Sequence, residues 1–148
     1  MFFGKFYHRL NSKNQVTVPA SFRQVIPPEE AKKGLYLVRT NQNCLYLYTQ
    51  SEVEQIMTRL RESSTPEDQD FRRMLASRIT PVDMDSQGRI VIPAELKAAV
   101  GIDTDVAFVG NANRAEIWAL DRWRAFEREH EGTYERRLEE RMDDLFER

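Results

Sequence analysis

A five-residue polar turn, Asp85-Ser86-Gln87-Gly88-Arg89, has the residue types best suited to bind a ligand in this 148-residue chain. Gly88 permits the positive φ that a tight hairpin requires. Asp85 can accept hydrogen bonds from backbone N–H groups two or three residues further on and so fix the loop. Arg89 then begins an outgoing strand, where its forked donors match phosphate or the O6/N7 edge of guanine. Gln87 adds an amide for adenine or phosphate, so the turn predicts a tip that contacts nucleic acid.

The same spacing also fits a purely structural turn. In that interpretation Asp85 and Arg89 only close the loop with a salt bridge, as is common in turns of this length. The position of the Arg89 guanidinium decides between the two. A side chain that faces inward and is locked to an acid would exclude contact with a duplex.

A second turn, Asn11-Ser12-Lys13-Asn14-Gln15, predicts the same geometry with different chemistry. Asn11 can form the same side-chain turn without a charge, and Asn14 tolerates positive φ better than most residues. Gln15 replaces the cation at the outgoing position, while Arg9 and Lys13 supply charge on either side. Two basic hairpins on one rim suit entry into a DNA groove, because a two-stranded ribbon fits the major groove.

The two turns belong to an internal repeat, the first feature to look for in any sequence. Residues 11–23 align with residues 85–97 at an offset of 74, and residues 45–53 align with residues 115–123 at an offset of 70. The first alignment keeps Pro19 as Pro93 and pairs Arg23 with Lys97. Two collinear matches in the same order indicate a duplication.

Each half predicts the same succession of elements. Two short strands flank the turn, and a short helix begins at a proline, which suits a strand end and the first helical position. Two β-rich runs follow, and then a closing helix with Ser51 or Asp121 as its expected N-cap. The predicted strands are 6–10, 15–18, 35–40, 45–48, 79–84, 89–92, 106–110 and 115–118, and the short helices are 19–25 and 93–100, the second of which ends at Gly101.

A single four-strand unit of this size buries too little surface to be stable alone. We therefore expect the two halves to pair into one barrel-like core, an α+β pseudo-dimer within one chain.

Composition and charge narrow the class of protein. The chain has a net charge of −2, 41% hydrophobic residues and one cysteine, Cys44. The single cysteine excludes a disulfide scaffold, and the composition makes wholesale disorder unexpected. Residues 1–5 lack the long apolar run of a signal peptide, and no window approaches the roughly 18 apolar residues of a membrane span, so we predict a cytoplasmic protein. Residues 1–28 nevertheless carry four cations and no acid, whereas residues 121–148 have a net charge of −3. The basic segment is either chance clustering or a surface that faces phosphate.

The connecting and C-terminal segments differ from the two halves. Residues 63–67 form a break, and Thr65 is expected to cap a helix over residues 66–76 with Phe71, Met74 and Leu75 on one side. From Asp121 onward, apolar residues recur every three or four positions, which predicts a helix. Its apolar residues are Trp123, Phe126, His130, Tyr134, Leu138, Met142 and Leu145. This stripe is expected to pack on the body or on a neighbouring subunit rather than on a membrane, because its polar face is acidic.

Catalytic chemistry is not indicated. The two histidines, His8 and His130, lie far apart in sequence, and Cys44 falls in a β run where a small buried residue is the commoner case. The chain has no Ser-His-Asp set, metal-ligand spacing or phosphate-binding glycine loop. We therefore predict neither an enzyme, a metal site nor a cofactor. Tyr36 and Tyr46, like Tyr48, lie at β spacing and are expected in the core or an interface.

Several of these motifs together resemble the MraZ family of bacterial transcriptional regulators, within the AbrB-like swapped-hairpin DNA-binding proteins. The resemblance rests on Asp85-x-x-Gly88-Arg89-x-x-x-Pro93-x-x-Leu96, its partial first copy, the Met-Phe-x-Gly start, Cys-Leu-Tyr-Leu-Tyr at 44–48 and Phe108-Val-Gly-Asn-Ala-Asn-Arg-Ala-Glu-Ile-Trp118. It covers roughly residues 1–125. It implies tandem AbrB-like half-domains, a ring-shaped homo-oligomer, nucleoid association and binding to promoter repeats of the division and cell-wall gene cluster.

The resemblance implies that the Asp-x-x-x-Arg turns contact DNA. This pattern transfers intact to Asp85 and Arg89, whereas the first turn has Asn11, Asn14 and Gln15 where the family pattern would place Asp, Gly and Arg. Lys13 and Arg9 are then expected to contact phosphate. The alternative function is an AbrB-like interaction module of the antitoxin type, which would bind a partner through its amphipathic tail.

The predicted organisation has four segments: a first half-domain at 1–62, a connecting helix at 63–76, a second half-domain at 77–125 and a C-terminal helical tail at 126–148. The expected partners are double-stranded DNA and further copies of the chain. The predicted DNA-contacting residues are Arg89, Gln87, Ser86, Arg9, Lys13 and Gln15, and the predicted loop-structuring residues are Asp85, Gly88, Asn11 and Asn14.

Overall fold

The computed structural model describes residues 1–62 and 65–147, and these residues form an α+β protein, as predicted. The strands are β1 (Lys5–Arg9), β2 (Gln15–Thr17), β3 (Leu35–Arg39), β4 (Cys44–Thr49), β5 (Ile79–Val82), β6 (Arg89–Val91), β7 (Asp105–Asn111) and β8 (Arg114–Ala119). The helices are α1 (Ala20–Val25), α2 (Pro28–Lys33), α3 (Gln50–Arg61), α4 (Pro66–Ser77), α5 (Ala94–Ala99) and α6 (Leu120–Phe146). Positions 63 and 64 of the predicted break at 63–67 lie outside the described residues, as does position 148 of the predicted tail.

All paired strands are antiparallel, and they form two sheets. Six strands lie in the order β1-β7-β8-β4-β3-β5, and β2 and β6 form a separate two-stranded ribbon. The large sheet is open, with β1 and β5 at its edges. The order is unchanged when β1–β4 are exchanged for β5–β8, because β1 pairs with β7 as β5 pairs with β3. The first strand of each half therefore completes the sheet of the other half.

The main core lies between one face of the large sheet, the ribbon and the short helices α1 and α5. Its side chains alternate along each strand, as expected when one face of a strand is buried. Phe22 of α1 packs edge-to-face on Phe2, Phe6 and Phe108, with ring centroids 5.3 to 6.3 Å apart. Both halves contribute to this single core, so neither half buries its apolar residues alone.

A second apolar cluster covers the opposite face of the sheet. It contains Cys44, Tyr46 and Trp118, against which residues of α4 and α6 pack. Cys44 is fully buried, as predicted, and Tyr46 is 9% exposed. Burial raises the pKa of the Cys44 thiol to about 12, so the thiol is protonated and unreactive in the folded protein.

The N-caps of the closing helices differ from the prediction. Thr49 rather than Ser51 caps α3, because its side chain accepts from the backbone of Glu52 while Glu52 bonds back to the Thr49 backbone. Ser51 instead donates to Glu30 Oε1 at 2.6 Å. Asp121 likewise lies in the first turn of α6, and the N-cap position is Ala119. Both helices follow their strand without a loop, so the cap falls earlier than the polar residues suggest.

Helix α6 begins on the body and then extends away from it. Trp123 and Phe126 contact Trp118, with ring centroids 5.3 and 5.2 Å away. Further along, Tyr134 and Leu145 are more than half exposed. The predicted packing of the apolar stripe on the body therefore holds only for its beginning. The described helices include none that is long and apolar enough to cross a bilayer.

The N-cap of α4 and the presence of α2 can also be compared with the prediction. Thr65 caps α4 through its side chain, which accepts from the backbone N–H of Asp68 at 3.2 Å. Helix α2 is absent from the prediction, although it begins at Pro28 and proline is favoured at the first helical position.

Candidate nucleic-acid interface

The carboxylate of Asp85 organises the second turn. Its Oδ1 accepts from the backbone N–H groups of Gln87 and Arg89, and its Oδ2 accepts from Arg89 Nε, each at 2.9 Å. Gly88 has a φ of +79°, a conformation that residues with a Cβ rarely adopt. The hydrogen bonds, above all that from the Arg89 backbone, hold the pKa of the Asp85 carboxyl below its ordinary value of 3.8. The carboxylate is therefore ionised at neutral pH, and the turn itself uses both oxygens.

The side chain of Arg89 is bound to Asp85 on one side only. The salt bridge that the spacing allowed is present between Nε and Oδ2. Neither Nη atom donates to another residue within ranges 1–62 and 65–147, and 34% of the side chain is exposed. The salt bridge thus orients the guanidinium and leaves both Nη groups available for an external acceptor.

The first turn repeats this geometry without charge. Asn11 Oδ1 accepts from the backbone N–H groups of Lys13 and Gln15 at 3.0 Å, and Asn11 Nδ2 donates to Gln15 Oε1 at 2.9 Å. Asn14, with a φ of +60°, occupies the position of the glycine in the second turn. The backbone hydrogen bond from residue 14 to residue 11 is 3.0 Å long, equal to that from Gly88 to residue 85. A neutral pair of amides therefore replaces the ion pair.

Each turn is also supported by a cation from the other half of the chain. Lys97 Nζ, on α5, donates to Asn14 Oδ1 at 2.8 Å. Arg23, on α1, lies over Gly88 so closely that a Cβ there would be 2.3 Å from its Nη1. Sequence reasoning noted Arg23 and Lys97 as repeat partners and missed these contacts. The repeat alignment, which places Arg23 and Lys97 at equivalent positions, is the sequence signal that could have indicated these contacts.

The ribbon of β2 and β6 brings the outgoing residues of both turns onto one face. Gln15 is opposite Val91, and Thr17 is opposite Arg89. Since side chains alternate along a strand and cross-strand partners share a face, these four residues lie on one side. Their neighbours Val16 and Ile90 point into the core and are 1% exposed. Gln15 and Arg89 are therefore diagonal neighbours on the outer face, about 7–8 Å apart at Cα.

The remaining predicted contact residues lie around this face. Lys13, Ser86 and Gln87 are exposed on the turns. Arg9, at the end of β1, is exposed but forms an ion pair with Asp105 across the strand pair, with 3.1 Å between Nε and Oδ1. The charge of Arg9 is therefore already partly offset.

His8 adds no charge to this region at neutral pH. Its pKa is lowered from 6.5, first by burial and then by the positive charge of Arg23. Within ranges 1–62 and 65–147, no three His, Cys, Asp or Glu side chains are grouped so as to hold a metal ion.

A ribbon face with half-buried Gln15, Thr17 and Arg89 beside exposed Val91, and with Lys13 on a flanking turn, fits the geometry of a β-ribbon DNA-binding protein. Comparisons with known proteins lead to a particular family. A family model described as "MraZ protein, putative antitoxin-like" matches residues 74–145. This match includes the second turn and leaves out the first.

Relatives match nearly the whole chain. The transcriptional regulator MraZ of Syntrophomonas wolfei is 35% identical over 146 residues, which is 97% of this chain and 98% of the relative. Those of Paenarthrobacter aurescens and Kocuria rhizophila are 35% and 33% identical, and they cover 90% and 99% of this chain and 92% and 100% of their own lengths. The chain belongs to the MraZ family of transcriptional regulators. The predicted family and the general class, a DNA-binding regulator, are confirmed.

Proposed function

We propose that this protein regulates transcription by sequence-specific binding of the β2–β6 ribbon to promoter DNA. The observation that carries the proposal is the outer face of the ribbon, where Arg89 and Gln15 lie side by side above a buried core. Arg89 is oriented by Asp85 and retains free donors toward the exterior. We assign Arg89, Gln15, Gln87 and Ser86 to base contacts, with phosphate as the alternative contact of Gln87.

Lys13 and Arg9 are assigned to the phosphate backbone. Contacts to phosphate fix the position of a protein on the duplex, whereas contacts to base edges carry sequence information. Lys13 is exposed and forms no ion pair within the described part of the chain, so its full charge is available. Asp85, Gly88, Asn11 and Asn14 serve to hold the loops.

We further propose the organisation implied by the family resemblance. The exchange-symmetric strand order supports two tandem AbrB-like, barrel-like half-domains that swap their first hairpins. Their proposed bounds are 1–62 and 77–125, joined by the segment 63–76 and followed by the tail at 126–148. The target is the promoter repeats of the division and cell-wall gene cluster, and the working form is a ring-shaped homo-oligomer associated with the nucleoid in the cytoplasm. The protein acts through binding rather than catalysis and without a cofactor.

The deciding experiment is selection of bound duplexes from a random pool, followed by titration of the selected duplex at several salt concentrations. A DNA-binding protein should enrich one motif, and its affinity should fall steeply as salt rises, because releasing counterions into a more concentrated salt solution is less favourable. Failure of the folded protein to enrich any motif would refute the proposal.

A second candidate function is an antitoxin-type interaction module. The exposed apolar residues Tyr134 and Leu145 of α6 favour it, as does the description of the matching family model. Such a complex would bury an apolar helix face, so its affinity should change little with salt. The salt titration therefore separates the two functions.

A further inference from the structure

The orientation of the Gln15 amide follows from groups whose hydrogen-bonding role is fixed. Backbone N–H groups can only donate, so the atom of Asn11 that faces those of Lys13 and Gln15 is the acceptor Oδ1. The donor Nδ2 of Asn11 must then face Gln15, which presents Oε1 to it at 2.9 Å. Gln15 Nε2 is left without a partner in the described part of the chain. The amide therefore presents a free donor to a ligand, while its oxygen keeps only one of two lone pairs.

An apolar residue lies opposite Gln15 on the neighbouring strand. Val91 is the cross-strand partner of Gln15 on the outer face of the ribbon. It is 46% exposed, although β6 also contributes the buried Ile90 to the core. The end of the ribbon that adjoins the first turn thus presents one hydrogen-bond donor, Gln15 Nε2, and one aliphatic side chain, that of Val91.

This pair matches one base edge in the major groove. Thymine presents the acceptor O4 next to its C5-methyl group, whereas adenine presents N7 and the donor N6. Glutamine recognises adenine by using its amide oxygen and nitrogen together. Here Asn11 already occupies one lone pair of the Gln15 oxygen, and adenine has no methyl group for Val91 to contact, so thymine matches the pair better.

We propose that Gln15 and Val91 together determine specificity for thymine at the first-turn end of the ribbon. The inference rests on the proposed DNA-binding function and deepens it. Arg89, diagonally across the ribbon from Gln15, keeps only donors free and matches the two acceptors of guanine. The duplicated halves therefore read different bases with similarly built turns.

The test uses Gln15→Glu in the full chain. Glutamate can accept the same hydrogen bond from Asn11, but its second oxygen replaces the outward donor with an acceptor. Selection from a random duplex pool should give thymine at one position for the wild type. For Gln15→Glu, preference at that position should shift about tenfold toward cytosine or adenine, whose amino groups donate.

Two variants control this result. Lys13→Gln changes the net charge by the same amount on the same turn and should weaken binding without changing the selected motif. The double variant Asn11→Asp/Gln15→Arg rebuilds the ion pair of the second turn and should change the preferred base from thymine to guanine. The double variant also provides the test if Gln15→Glu does not fold.

The role of Val91 is tested with deoxyuridine, which lacks only the C5-methyl group of thymidine. Replacing the thymidine should weaken wild-type binding about fourfold, the value of one buried methyl-sized group. Val91→Ala should bind both duplexes equally. Equal wild-type affinity for the two duplexes would overturn the role of Val91.

Failure of this inference and failure of the proposed function give different results. If the wild type enriches a motif but selects adenine at the Gln15-dependent position, or if Gln15→Glu and the double variant leave the motif unchanged, the thymine assignment is wrong while DNA binding stands. If the folded wild type enriches no motif, the proposed function itself fails.

Discussion

Lys97 and Asn14 are 83 positions apart in sequence, and their side chains form a 2.8 Å hydrogen bond between Nζ and Oδ1. Helix α5 of the second half thereby supports the first turn. Arg23 of the first half occupies the equivalent place over Gly88. The two turns are therefore held by each other's half-domains as well as by their own loops, and the ribbon between them fixes their separation.

Gly88→Ala should destabilise the folded protein. The substituted residue would have to adopt a φ of +79°, which costs about 1–2 kcal/mol, and its Cβ would displace the Arg23 side chain. We expect the free energy of unfolding to fall by at least about 1 kcal/mol. Urea denaturation followed by circular dichroism measures this change.

Gly132→Ala is the matched control. Gly132 lies within α6, and a Cβ there would meet nothing within 4 Å. Alanine should therefore strengthen the helix by up to about 1 kcal/mol. Equal effects of the two substitutions would show that Gly88 is not required by the geometry of its turn.

Arg89→Ala should weaken discrimination between the selected DNA site and unrelated DNA while leaving the fold intact. The loss should reach about 1–3 kcal/mol, the range for one bidentate base contact. Electrophoretic mobility shifts with specific and scrambled duplexes measure it. The control is Arg73→Ala, which removes an arginine from an exposed ion pair on α4. An unchanged footprint of Arg89→Ala on the selected site would contradict the assignment.

Lys13→Ala should weaken binding to all sequences by a similar factor. Lys13 is exposed on the first turn and is assigned to phosphate, so its removal should lower the slope of log affinity against log salt by about 1. Titrations of specific and scrambled duplexes at three salt concentrations measure the slope. Lys32→Ala removes an exposed lysine from α2 and should leave the slope unchanged. A change in the preferred sequence of Lys13→Ala would instead indicate a base contact.

The turns and most strands could be predicted because their signals are local. Proline, glycine and asparagine at repeated positions mark where each strand ends, and β1 and β7 differ from the predicted bounds only at their ends. The pairing of β1 with β7 could not be predicted in the same way. In a duplicated chain each strand has two chemically similar partners, and only the shared core decides between them.

Parts of the candidate site were also beyond sequence reasoning. The alternative interpretation of the second turn treated the Asp85–Arg89 salt bridge as evidence against a binding role. The structure shows that the bridge uses only Nε, a distinction that residue spacing does not contain. Likewise, the orientation of the Gln15 amide depends on which Asn11 atom faces the backbone. Spacing identifies which residues can meet, whereas atomic positions determine which donors remain free.

Asp85→Asn tests whether that salt bridge orients Arg89. The amide oxygen of asparagine can still accept from the backbone of residues 87 and 89, as Asn11 does in the first turn. Its Nδ2, however, would face Arg89 Nε, and two donors cannot bond to each other. We expect the fold to persist, the guanidinium to lose its fixed direction, and specific binding to fall while binding to scrambled DNA is retained.

The acid dependence of stability gives an independent measurement on the same variant. Because the pKa of Asp85 is lowered in the folded state, its stabilising contribution is present above the ordinary carboxyl pKa and is lost as pH falls through the lowered value. Asparagine does not titrate in this range. The unfolding free energy of Asp85→Asn should therefore decline less on acidification than that of the wild type, and identical pH profiles would contradict the contribution assigned to the Asp85 carboxylate.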